Sequence, residues 1–149
     1  MRPTLVLLAG LAVSGHAFAQ APVLGVPAEP VFAEHRVALQ LSDSGDAKQT
    51  LILNVASNLI KTFGPDKVAI DVVAFGPGID LMRDGNQNAG RMSDLMKQGV
   101  HFDACNNTIE TIERNTGKPF PLNPRARRVT GGVPEIVVLA EHGYIVIRP

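Results

Sequence analysis

Tryptophan is absent from this 149-residue chain, and tyrosine and cysteine occur once each. Without aromatic platforms the surface is poorly suited to stacking sugars. A single cysteine has no intramolecular partner, so no disulfide framework supports the fold and stability must come from a packed core. Neither sign of charge is in excess: 14 Lys and Arg stand against 14 Asp and Glu. This leaves no basic surface for nucleic acid or an anionic membrane. Long hydrophobic runs are lacking as well. The apolar stretch from Thr4 to Val13 falls short of the about 20 residues that a membrane-spanning helix needs.

That short run has another reading. Arg2 precedes it, and Ala17-Phe18-Ala19 follows as a small-x-small site. Together they predict a secretory signal peptide over residues 1–19, cleaved after Ala19, and therefore export to the periplasm. No cysteine lies near the cleavage site, which argues against a lipoprotein anchor, and His16 leaves with the signal. Residues 20–33 hold Pro22, Pro27 and Pro30 and read as an extended arm or linker. Residues 34–149 are the size of one domain.

Within that domain strand and helix patterns alternate. His35 to Leu41 reads as a strand, and Asp43-Ser44-Gly45-Asp46 breaks it. Ala47, Leu51, Val55, Leu59 and Phe63 recur at steps of four, predicting a helix with Asp46 as N-cap and Gln49 three residues on, stopped by Gly64-Pro65. Lys67 to Phe75 reads as the next strand, apolar after Lys67 apart from Asp71, as expected of a strand covered on both faces. Ile79 to Arg83 fits either an extended or a helical piece. Further helices are expected at 88–98, 108–116 and from Pro134 to about His142, the last the least distinct because Val137-Val138-Leu139 also suits a strand. Strands are expected at 101–105, near 128–130 and at 144–147. The alternation implies right-handed crossovers and a three-layer α/β/α fold on a mostly parallel five-stranded sheet.

In such sheets ligands bind beyond the carboxyl ends of the strands. Ser42, Gly76, Gly78 and Cys105 are all expected there. Cys105 stands where a strand runs into a helix, so the free backbone N–H groups of that helix start could cradle a thiolate, a persulfide or a bound anion. Asn106, Asn107 and Thr108 form the helix start, and His101 and Asp103 share the strand parity of Cys105. The alternative is a cysteine buried as a small hydrophobe. His35, His101 and His142 show no i, i+4 pair, so no metal site is expected. Gly76-Pro77-Gly78 lacks the lysine and spacing of a phosphate loop and reads as a tight turn. Arg125, Arg127 and Arg128 suit a solvated loop face, or an oxyanion site if that loop folds over Cys105.

Several of these segments carry a family resemblance. They are the strand before Ser42-Asp43-Ser44 with Ala47-Lys48-Gln49, Val72 to Gly78, Gly99 to Thr108, and Gly143 to Pro149. From His35 to Pro149 the chain resembles the small exported, single-domain members of the DsrE/DsrF-like sulfur-relay superfamily. The resemblance implies a three-layer α/β fold and homo-oligomers, trimers or hexamers. It also implies that the cysteine at Cys105 accepts sulfane sulfur as a persulfide and passes it between donor and acceptor proteins. The expectation is then an exported sulfur carrier, sulfurtransferase-like and without a cofactor. In it Cys105 is the acceptor, His101 or Asp103 manages protons, and Asn106, Asn107 and Thr108 stabilise the anion. The rival expectation is a non-catalytic oligomeric module that binds a small ligand or senses redox state through its thiol.

Overall fold

The computed structural model describes residues 21–149, so the expected signal peptide and its cleavage site lie outside the described residues. Five parallel strands form one sheet in the order β4-β3-β2-β1-β5. They are β1 (His35–Leu41), β2 (Val68–Ala74), β3 (His101–Cys105), β4 (Arg127–Val129) and β5 (Ile145–Ile147). The helices are α1 (Asp46–Phe63), α2 (Ala89–Lys97), α3 (Asn106–Thr116) and α4 (Gly132–Glu141). The expected three-layer α/β/α fold is what the chain adopts, and its sheet is wholly parallel. No helix among the described residues is long and apolar enough to cross a membrane.

Topology dictates the two faces. From β1 to β4 each crossover steps one strand outward in the same sense, so their helices fall on one side, the front. The connection from β4 to β5 returns across the whole sheet, and α4 therefore covers the other side, the back. Two apolar clusters follow. On the front, Leu39, Ile70, Val72 and Phe102 pack with Ile52, Leu53, Met92 and Ile109. On the back, Ala38, Ala69 and Val73 meet Leu139 and Tyr144. β2 is buried at every position, Asp71 included.

Several boundaries move, each for a local reason. Gly45, not Asp46, caps α1: its φ of 101° suits glycine, and Gln49 donates its backbone N–H to the Gly45 carbonyl. No capping box forms, because the buried Gln49 side chain accepts from Asn88 at 3.0 Å and reaches Asp80 at 3.4 Å. The ambiguous stretch is a 3-10 helix, Gly76–Met82, with Ile79, Leu81 and Met82 buried. α3 begins at Asn106, two residues earlier than its apolar spacing suggested. Asn106 donates to Glu110 at 2.7 Å and Thr111 donates to the Asn107 carbonyl at 2.8 Å, which makes asparagine acceptable in a first turn. The doubtful last helix is helical.

The proline-rich segment is not a free linker. Residues 21–34 lie along the back of the sheet. Val23 forms a parallel bridge with Val129 on the open edge of β4, and Val26 and Ala33 pack on the back cluster. Glu29 pairs with Arg36 at 2.9 Å.

Candidate functional site

Three strand ends meet at the carboxyl edge of the sheet. Leu41 ends β1, and its carbonyl accepts the Phe75 N–H at 3.1 Å just past β2. Gly76 turns with a φ of 52°, a conformation that favours glycine. Its N–H donates to Thr108 Oγ1 at 3.0 Å, which ties the Gly76-Pro77-Gly78 turn to the first turn of α3. Gly78 touches Leu41 so closely that a Cβ there would stand 2.3 Å from the Leu41 carbonyl oxygen.

Cys105 is the last residue of β3 and the N-cap of α3. Its side chain joins the front core and is 5% exposed. Beside it the free N–H groups of the α3 start and the positive end of the helix dipole favour negative charge. A cavity of about 470 Å³ opens between the 3-10 helix and α3, lined in part by Gly76, Pro77, Asp80, Arg83, Asn107 and Thr108. Cys105 is not among its lining residues. Arg83 is held at the rim by Asp80 at 2.7 Å and lies over the Phe120 ring at 4.4 Å.

The expected site residues divide accordingly. Gly76, Asn107 and Thr108 line the cavity. Asn106 is buried and spends its amide on Glu110. Ser42 receives a bond from Gln40 at 3.5 Å, and Gly78 serves packing against Leu41. His101 and Asp103 are engaged elsewhere. His101 begins β3, four residues and about 13 Å of strand from Cys105, and its Nε2 meets the Ala28 carbonyl at 2.9 Å. Asp103 faces the back, bound through both oxygens to Arg127. Strand parity misled here because the chain turns into α3 at Cys105.

Nor do the three arginines gather over Cys105. Arg125 reaches Ser93 at 2.9 Å, and Arg127 sits inside a ring of carboxyl groups. Its Nη2 also meets Glu135 at 2.7 Å and Asp71 at 3.4 Å. Burial disfavours the charge on Arg127, but the Asp103, Asp71 and Glu135 carboxylates outweigh it and raise its pKa. Burial pushes the Asp71 carboxyl well above the usual range, and Asp103 adds to this. Sequence reasoning marked Asp71 only as the odd residue in an apolar strand. Registers pairing Val73 with Asp103 and Asp103 with Arg127 bring the group together.

The domain is similar to a solved structure, a protein of unknown function, MTH1491, from Methanobacterium thermoautotrophicum, with a TM-score of 0.69 and 30% sequence identity. The match covers 78% of this chain and 100% of that one. No protein-family model matches the chain, and no curated protein matches it.

Proposed function

We propose that this chain, which belongs to the same family as the Methanobacterium thermoautotrophicum protein, carries sulfane sulfur as a persulfide on Cys105. The observation behind this reading is the position of Cys105, at the carboxyl end of β3 and the head of α3. The resemblance to DsrE/DsrF-like relay proteins supports the same reading. In the transfer, the Cys105 thiolate attacks the terminal sulfur of a donor persulfide. The donor S–S bond breaks, the donor thiolate leaves with the electron pair, and a new S–S bond forms on Cys105 with no net redox change. The α3 N–H groups stabilise the resulting anion. His101 and Asp103, bound elsewhere, take no part. Export to the periplasm after cleavage at Ala19 belongs to the same proposal.

The experiment is an intact mass of the protein after exposure to polysulfide or thiosulfate, beside Cys105→Ser. One added sulfur atom in the wild type alone is the expected result. No addition, with a thiol that resists alkylation until the protein unfolds, removes the carrier reading. The burial of Cys105 in the front core favours a second reading, a non-catalytic binding module, which that negative outcome would leave standing.

We also expect a homo-oligomer, a trimer or hexamer. Edge strand β5 exposes Ile145, Val146 and Ile147, and the α4 face beside it exposes Val133 and Val137. An unprotected apolar edge of this kind is normally covered. Light scattering should therefore give a multiple of the chain mass, and Ile145→Lys should lower it. A wild type that stays monomeric at high concentration rules the expectation out.

A further inference from the structure

The back of the sheet holds a cluster that sulfur chemistry does not use. Asp71 of β2, Asp103 of β3 and Glu135 of α4 are fully buried around one guanidinium, that of Arg127. One cation therefore serves three carboxyls, and Asp71 Oδ1 has no hydrogen-bond partner among the described residues. Fully ionised, the group would keep two uncompensated negative charges out of water, which a buried site does not sustain. At least one carboxyl there is protonated. We assign that proton to Asp71, whose Oδ1 is the oxygen left without a partner and whose carboxyl is raised by burial first and Asp103 second, against the pull of Arg127. Burial raises Glu135 too, against the Gly25 N–H and Arg127.

The segment ahead of β1 is tied directly to the cluster. The Gly25 peptide is held on both sides: its carbonyl accepts from Arg127 Nη1 at 2.6 Å and its N–H donates to Glu135 Oε2 at 3.2 Å. Val23 is zipped to β4 through Arg128 and Thr130 at 2.9 and 2.8 Å. We propose that residues 21–34 are a strap latched over this cluster by the proton it holds, closed while that proton is bound and released when it leaves.

The sign follows from linkage. The closed strap binds more protons than the open one, because opening hydrates the carboxyls and returns Asp71 toward its ordinary range. The closed fraction is therefore greatest in acid. It falls as pH rises from the ordinary carboxylate range up through the raised value of the closed state, at most about tenfold in the closing equilibrium per pH unit for one proton. Other titratable groups face the strap: His101 bonded to the Ala28 carbonyl, Glu29 paired with Arg36, and the buried Tyr144 beside Glu29. β1 offers only Ala38 opposite Asp71. Asp71→Asn leaves all of these in place and fixes the neutral form of the one group invoked.

Amide hydrogen exchange of the full chain, corrected for intrinsic rates, tests this from about pH 5 to about pH 9. Protection at Val23 and Gly25 should fall about tenfold or more in the wild type while β2 amides keep theirs, and Asp71→Asn should hold it level. Level protection in the wild type overturns the latch, and so does an equal fall in Asp71→Asn. Should that variant not fold, Glu135→Gln removes another charge from the cluster and must shrink the fall; an undiminished fall overturns the latch as well.

Discussion

Replacing Arg127 by alanine should cost about 3–5 kcal/mol of stability near neutral pH, the usual loss when one partner of a buried ion pair is removed. Its side chain makes five of the contacts that hold the back of the sheet: two to Asp103, one each to Asp71 and Glu135, and one to the Gly25 carbonyl. Alanine leaves three buried carboxyls with no cation. They answer by binding protons, so the loss depends on pH in a predictable direction. Carboxyls whose folded-state values are raised favour the native protein least where the unfolded chain is ionised and the native chain must remain protonated. The deficit of the variant is thus largest at neutral pH. It shrinks as pH falls toward the ordinary carboxylate range, leaving mainly lost hydrogen bonds and packing. Urea unfolding at about pH 7 and about pH 4.5 measures both limits. A loss under about 1 kcal/mol at the higher pH, or one independent of pH, would show that the cluster is not a buried ionic unit. Lysine should not restore it, because the guanidinium fork holds Asp103 through two nitrogens at once.

How much of this could be read in advance depends on the range of the interaction. Apolar periodicity and glycine punctuation located all five strands and α1 to α4 within a few residues, because both are local consequences of burial and backbone sterics. β2 shows why its neighbours were also legible: a strand covered on both faces reads as one apolar run, and Asp71 stood out in it. The partners of Asp71 were not legible. Asp103 and Arg127 lie in separate strands, and Glu135 in α4 on the opposite face from α1 to α3; only the register and the return crossover unite them. The same limit applied to the candidate site. The spacing of Cys105 and Asn106 to Thr108 placed the thiol correctly at a strand–helix junction. Parity then carried His101 and Asp103 along with it, because a period-two argument holds only while the chain is still a strand. Of the two readings of the proline-rich segment, extended arm or linker, the arm fits, but where it docks was not legible for a related reason. Composition marks it as extended, but the hydrogen bonds of Gly25 go to residues about a hundred positions away, and nothing in its own sequence names them.

Among the glycines of the described residues, Gly78→Ala should be the most damaging substitution, at about 3 kcal/mol, the upper end of what overpacking usually costs. The added Cβ would stand 2.3 Å from the Leu41 carbonyl oxygen, 2.7 Å from its carbon and 2.9 Å from Leu41 Cγ. Two of these atoms are backbone and cannot rotate away. Leu41 is also fixed on its β2 side, paired with Ala74 in the sheet and accepting the Phe75 N–H. The 3-10 helix must therefore lift instead, drawing the buried Ile79, Leu81 and Met82 with it. Because the Gly76 N–H anchors that helix to Thr108, the displacement is passed to the head of α3, one turn from Cys105. Two readouts should then move together: the urea midpoint falls, and native-state alkylation of Cys105 accelerates. Gly90→Ala is the matched control, since nothing lies within 4 Å of a Cβ at that helical position and alanine there should be neutral or stabilising by up to about 1 kcal/mol. Equal stability of the two variants would mean that the glycine-proline-glycine turn is not pinned to the end of β1. A large loss of stability with unchanged alkylation would instead separate the packing of the turn from access to the thiol.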